Sequence, residues 1–179
     1  KLKTTSGKKQ SHYIRQHLAY VLTHTFDWDY WVTFTFGRHP DLEEVEDVLY
    51  NAHHRIDLRM LKHLKGQSYL TSEERSDWIL FPELKGGRGL HYHGFIKLNI
   101  RPHIESYRDQ RGEVSEWHWM RTAIQHVLST LKDRVTTLQM YEDLGFRLYE
   151  RTYRSEEVLK MIIYSMKEFC EEDGGRYGQ

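Results

Sequence analysis

Between Asp41 and Leu64 the apolar residues Val45, Val48, Leu49, Ala52, Ile56 and Met60 recur at three- and four-residue intervals, which predicts a long helix with one buried face. Glu116 to Arg134 predicts a second helix. Ser155 to Glu172 predicts a third, with Leu159, Ile162, Ile163, Met166, Phe169 and Cys170 as its stripe. Ser155 suits an N-cap, and Glu156 and Glu157 suit the positive end of the helix dipole. A shorter helix is predicted from Tyr13 to Thr25. Elsewhere the period falls to two. Asp27 to Phe36, Trp78 to Glu83 and His91 to Leu98 predict strands, and Leu84 to Leu90, with three glycines, predicts the turn that joins the last two into a hairpin. Thr137 to Met140 and Phe146 to Tyr149 are candidate strands around Asp143-Leu144-Gly145. Gly66 to Asp77 reads as a loop, and Arg101 to Ser115 is polar. Helices and strands mix without βαβ alternation, so the expected class is α+β, a central antiparallel sheet flanked by helices. Lys1 to Gln10 lacks an apolar pattern and reads as a basic flexible tail, leaving residues 11–179 as one domain.

Composition narrows this picture. A chain of 179 residues, 39% hydrophobic, is long enough for one sizeable core. Its single cysteine excludes an internal disulfide framework and suits a reducing cytosol. No apolar run is long enough to cross a bilayer and no signal peptide is visible, so a cytoplasmic protein without a membrane partner is expected. The chain opens on Lys1, which suggests a processed or trimmed start. Twenty-six basic residues balance twenty-six acidic ones. Binding of nucleic acid therefore requires a local basic channel, because the total charge supplies no attraction.

The candidate chemistry lies in the hairpin and in the last helix. On a strand, His91 and His93 share a face while Tyr92 takes the other. If Glu83 pairs with His91, Phe81 lies opposite His93 and the carboxylate joins the imidazoles. Two imidazoles and one carboxylate leave coordination positions open for water and a substrate oxygen. With twelve histidines, chance pairs are expected, and His53-His54 reads as a solvated helix face. Gly94, directly after, permits close approach of a backbone or a ligand. In the last helix, at about 100° per residue, Lys160, Tyr164 and Lys167 share a flank beside the apolar stripe. A phenol with a pKa near 10 is only about 0.1% ionised at pH 7. Neighbouring ammonium groups would favour phenolate and offset charge on a pentacoordinate phosphate. The plainer alternative is a half-buried aromatic between ordinary surface lysines. Trp117 either stacks an unpaired base or packs its helix onto the sheet. Lys85 and Arg88 at the hairpin tip either touch phosphate or are solvated turn charges.

Taken together, these motifs resemble the HUH endonucleases, and among them the initiators of rolling-circle replication. His91-Tyr92-His93-Gly94-Phe95 resembles the family's histidine pair, and Tyr164-Ser165-Met166-Lys167 its helical nucleophile motif. Trp31-Val32-Thr33-Phe34-Thr35-Phe36 resembles its upstream strand, and Glu83 takes the place of the carboxylate that often completes the metal site. The order is that of replication initiators, and the likeness spans about residues 30–170. Lys160 stands where two-tyrosine members place a second tyrosine, so a single-tyrosine mechanism is expected. There is no Gly-x-x-x-x-Gly-Lys-Ser/Thr, so unwinding would fall to a partner such as a host helicase.

The resemblance implies a metal-dependent enzyme that nicks and rejoins single-stranded or hairpin DNA at an origin-like site. Glu83, His91 and His93 would hold Mn²⁺ or Mg²⁺, a donor set that also suits Zn²⁺. Tyr164 would form a 5′-phosphotyrosine, assisted by Lys167 and Lys160. Two other readings stay open. One is a metallohydrolase whose nucleophile is water. The other is a catalytically idle DNA-binding module.

Overall fold

In the computed structural model, which describes residues 5–36, 42–83, 89–112, 115–132, 145–150 and 155–166, one four-stranded antiparallel sheet organises the chain. The elements run α1 (Thr5–Thr25), β1 (Tyr30–Thr35), α2 (Leu42–Lys65), β2 (Asp77–Glu83), β3 (His91–Lys97), α3 (Arg101–Arg111), α4 (Glu116–Lys132), β4 (Gly145–Glu150) and α5 (Ser155–Ser165). The sheet order is β2-β3-β1-β4. The class is α+β. None of the described helices is long and apolar enough to cross a membrane.

Alternation on the central strands divides the apolar residues between two faces. Tyr30, Val32 and Phe34 of β1 join Tyr92 and Ile96 of β3 and Leu148 of β4 on the first face. There they meet the predicted stripe of α2, together with Met120, Ile124, Val127 and Leu128 of α4. On the second face, Phe81 of β2 and Phe95 of β3 pack with Trp28, Ala19 and Leu22 of the α1 end of the chain and with Val158, Ile162 and Met166 of α5 and its last turn. That second cluster covers one end of the face. The other end is left to polar side chains.

β2 pairs with β3 in the register Phe81↔His93 and Glu83↔His91, and β3 pairs with β1 in the register Thr33↔His93 and Thr35↔His91. Gly94 is pinned between Leu80 and Val32. A Cβ there would run into the Ile79 carbonyl, so the approach that this glycine permits is by neighbouring backbone on the first face.

Several sequence expectations need correction. Helix α1 begins at Thr5, so residues 5–10 are helical where a flexible tail was expected. Lys8, Lys9 and Gln10 are good helix formers, and a helix anchored further along can extend through a polar stretch. Arg101–Arg111, within a stretch read only as polar, is a helix. Pro102 suits its first turn, but Ile104 is its one buried residue, so it carries no apolar period to read. β1 starts at Tyr30, three residues later than predicted, and just before it the Asp29 side chain accepts from the Leu98 amide at 2.7 Å. His53 is not solvated. Its Nε2 donates to the Ser76 carbonyl at 2.7 Å, lies 3.3 Å from the buried Asp57 carboxylate, and its ring stacks on Trp78. His54 is exposed as expected. The candidate strand at Thr137 to Met140 lies outside the described residues.

Candidate active site

At the open end of the second face, alternate positions turn from apolar to polar. Along β3 the order is Phe95, His93, His91, and along β2 it is Phe81, Glu83. Along β1 it is Trp31, Thr33, Thr35, and on β4 Arg147 pairs with Thr33 and Tyr149 with Trp31. The side chains surround a depression of about 340 Å³, with Tyr164 of α5 on its border.

The imidazoles are oriented from behind. Thr33 Oγ1 lies 2.9 Å from His93 Nδ1, and Thr35 Oγ1 lies 3.1 Å from His91 Nδ1. With Nδ1 engaged on the strand beside it, each ring is left with Nε2 for other partners, the arrangement that fixes metal-binding histidines. Glu83 Oε2 accepts from His93 Nε2 at 3.0 Å, with both side chains about 15% exposed. A carboxylate only accepts, so Nε2 of His93 carries the proton in this arrangement. His91 Nε2 is buried and has no hydrogen-bond partner among the described residues. Leaving such an atom unsatisfied costs about 1–3 kcal/mol, a penalty that a bound ligand would relieve.

Among the described residues, no three His, Cys, Asp or Glu side chains are gathered into a finished metal cage. The His91 and His93 ring centroids are 6.3 Å apart, and Glu83 is engaged by His93. The donor chemistry nevertheless fits a divalent cation. Two oriented imidazoles and a carboxylate border one depression, and the buried His91 nitrogen lacks a partner.

Tyr164 is held by its helix. Val158, Ile162 and Met166 are buried, whereas Tyr164, two residues beyond Ile162, is 54% exposed. Its ring meets that of His93 nearly edge-on, with centroids 6.2 Å apart. Lys160 is exposed one turn earlier on α5. Lys167, Lys85 and Arg88 lie outside the described residues. Trp117 is not at the site. It packs partly buried against the first-face core, with the Arg121 guanidinium 5.1 Å from its ring centroid.

Sequence reading missed four contributors. Thr33 and Thr35 stood out as the polar alternate positions of an otherwise apolar strand, and that parity could have identified them. Arg147 and Tyr149 also occupy alternate positions, but their place beside β1 depends on long-range pairing. Tyr149 stacks on Trp31 at 5.3 Å, and Trp31 stacks on His93 at 5.9 Å, so an aromatic floor leads into the depression. Arg147 is exposed above it.

Comparison with protein-family models, with curated proteins and with solved structures gave no match.

Proposed function

We propose that this chain is a metal-dependent endonuclease that nicks and rejoins single-stranded DNA through a tyrosine nucleophile. The observation that carries the reading is the setting of Tyr164 edge-on to His93, over the same depression as His91 and Glu83. A phenol beside two imidazoles and a carboxylate suits phosphoryl transfer better than it suits a purely structural role.

In the proposed step, the Tyr164 oxygen attacks the scissile phosphorus while the bond to the 3′ oxygen breaks. The phenolic proton passes to solvent or a basic side chain, and the departing oxygen takes up a proton. The products are a 5′-phosphotyrosine and a free 3′-hydroxyl, and the reverse reaction joins strands. Glu83, His91 and His93 would hold Mn²⁺ or Mg²⁺, which when bound polarises the phosphate oxygens. Thr33 and Thr35 keep the imidazoles aimed. Arg147 is placed to contact phosphate, and Tyr149 on Trp31 offers a base a stacking surface. Lys160 adds positive charge one turn from the nucleophile, with Lys167 assigned the same role on sequence alone. An unpaired strand suits this open depression, whereas a duplex must first be melted at about 1.4 kcal/mol per step. Supercoiling, an extruded hairpin or a host helicase would supply that opening at an origin-like site on a plasmid, phage or other mobile element.

The test is incubation with a pool of single-stranded oligonucleotides of varied sequence and Mn²⁺, followed by denaturing electrophoresis and mass spectrometry. The expected product is a protein–DNA adduct on Tyr164, absent from Tyr164→Phe, which retains its fold and DNA binding. Cleaved DNA without an adduct would assign water as the nucleophile. An adduct on another tyrosine would overturn the assignment, and binding by every pool member without cleavage would leave only the idle DNA-binding module.

A further inference from the structure

We propose that the outer face of α2 and α4 is a second nucleic-acid contact, a cationic groove that grips the phosphodiester backbone of duplex DNA without reading its sequence. This face lies on the opposite side of the sheet from Tyr164, and the inference does not depend on the reading of that site.

Segregation of charge is the first observation. The chain as a whole is neutral, so a region without carboxylates has to be built by placement. Helix α2 begins with Glu43, Glu44, Glu46 and Asp47 and ends with Arg55, Arg59, Lys62, His63 and Lys65. The one carboxylate in that later half, Asp57, is 1% exposed and accepts from the Ser76 amide and hydroxyl. On α4, His118, Arg121 and Thr122 are exposed. The only acid of that helix, Glu116, accepts from the Tyr30 hydroxyl and pairs with Arg101.

Shape is the second. Between the helices runs a groove of about 600 Å³ bordered by Arg59, Lys62, His63 and His118. A second groove of about 630 Å³ shares Lys62 and His63 and continues to Arg111 on α3. No Asp or Glu lines either one; Lys65 and His103 of the second are paired with the buried Glu74, which leaves Arg59, Lys62 and Arg111 as the cations offered to a ligand.

The occupant follows from what the groove lacks. Single strands are held by stacking, but here Trp119 is partly buried and meets His63 and Tyr107 edge-on, leaving a packed floor. A membrane surface would need apolar side chains to insert. Among the described residues, no large hydrophobic is exposed on α4 or the later half of α2. Cations without stacking or insertion groups match a polyanion of fixed shape, the duplex backbone.

The experiment is fluorescence anisotropy with a labelled duplex of arbitrary sequence, titrated between about 50 and 200 mM salt. At about 0.9 per phosphate contact, Arg59→Gln/Lys62→Gln/Arg111→Gln, all on the two grooves, should make the log–log salt slope shallower by about 2.7 and weaken binding at least tenfold at the lowest salt. The double variant Arg59→Gln/Lys62→Gln should lose about 1.8 of that slope. All three side chains are exposed, so thermal unfolding should be unchanged. Tyr164→Phe should bind the duplex as the parent chain does. Equal slopes and affinities in parent and triple variant overturn the proposal. So does binding of the parent chain to phosphatidylserine vesicles but not to the duplex.

Discussion

Replacing Gly94 by alanine tests the strand packing that positions the site. Gly94 is buried in β3, opposite Leu80 on one side and Val32 on the other. A Cβ at this position would lie 2.7 Å from Leu80 Cδ2 and 2.9 Å from the Ile79 carbonyl carbon, with the carbonyl oxygen nearer still. Ordinary contact begins near 3.4 Å. The leucine methyl can rotate away, but the carbonyl belongs to the backbone of β2, so relief requires that strand to move. Overpacking a core costs about 1–3 kcal/mol when side chains can yield, so a backbone obstruction belongs at the upper end, about 3 kcal/mol. For a chain of this size that corresponds to a melting temperature lower by about 6–12 °C. Moving β2 also carries Glu83 away from His91 and His93, so if these residues hold a cation as proposed, affinity for Mn²⁺ should fall with stability. Thermal unfolding followed by circular dichroism, with Mn²⁺ titration of the folded protein, reads both effects. The comparison is Gly66→Ala, where φ is +70° but nothing lies within 4 Å of the added carbon. That change carries only the backbone penalty of about 1–2 kcal/mol. If Gly94→Ala melts at or above Gly66→Ala, the reasoning from strand packing is wrong.

Thr33→Val removes the hydroxyl beside His93 Nδ1 while keeping a β-branched residue in the strand, so unfolding should shift by only about 1 kcal/mol. If the histidines hold a cation, Mn²⁺ affinity measured by calorimetry should fall about 10–100-fold, and an unchanged affinity would remove Thr33 from the site. Glu74 supplies a pH prediction. Burial pushes its carboxyl pKa upward, but hydrogen bonds from the Thr71 amide, Lys65, Gln67 and the Thr71 hydroxyl prevail and hold it at about 2 against an ordinary 4.5. The resulting stabilisation is fully present above pH 4.5 and is lost as pH falls towards 2. In denaturant titrations, the deficit of Glu74→Gln should therefore be constant near neutrality and shrink in acid; a deficit that persists at pH 2 contradicts the assignment.

What could be read from the chain was local periodicity. Six spaced apolar residues define α2, and strand parity alone brings Glu83, His91 and His93 to one face once the register is chosen. Helix α3 escaped because a helix with one buried residue carries no period. His53 escaped because Ser76 and Trp78, which hold its ring, lie outside α2, and nothing in the His53-His54 pair indicates which ring will turn inward. Arg147 and Tyr149 escaped for a related reason. Strand β4 joins β1 across more than a hundred residues, and only that pairing brings a cation and an aromatic ring to the histidines. The cationic groove was hidden by the neutral total, which averages an acidic and a basic half of the same helix.

The second hydrophobic cluster explains how an exposed tyrosine is held near a half-buried histidine. Phe95 lies two positions from His93 on β3, and Phe81 on β2 is the direct cross-strand partner of His93. Those phenylalanines belong to the cluster that buries Val158, Ile162 and Met166, so the surface that docks α5 is continuous with the strands that carry the imidazoles. The helix cannot slide along this surface without unpacking three buried side chains, each contributing about 1.5–3 kcal/mol. Tyr164 escapes burial because it lies about 200° around the helix from Ile162, yet it inherits the position of that anchored helix. Positioning therefore comes from apolar packing on one half of the sheet face, while the polar half stays open to solvent. That separation lets the ring be both accessible and fixed, which the proposed attack on phosphorus would require and a freely moving surface tyrosine does not provide.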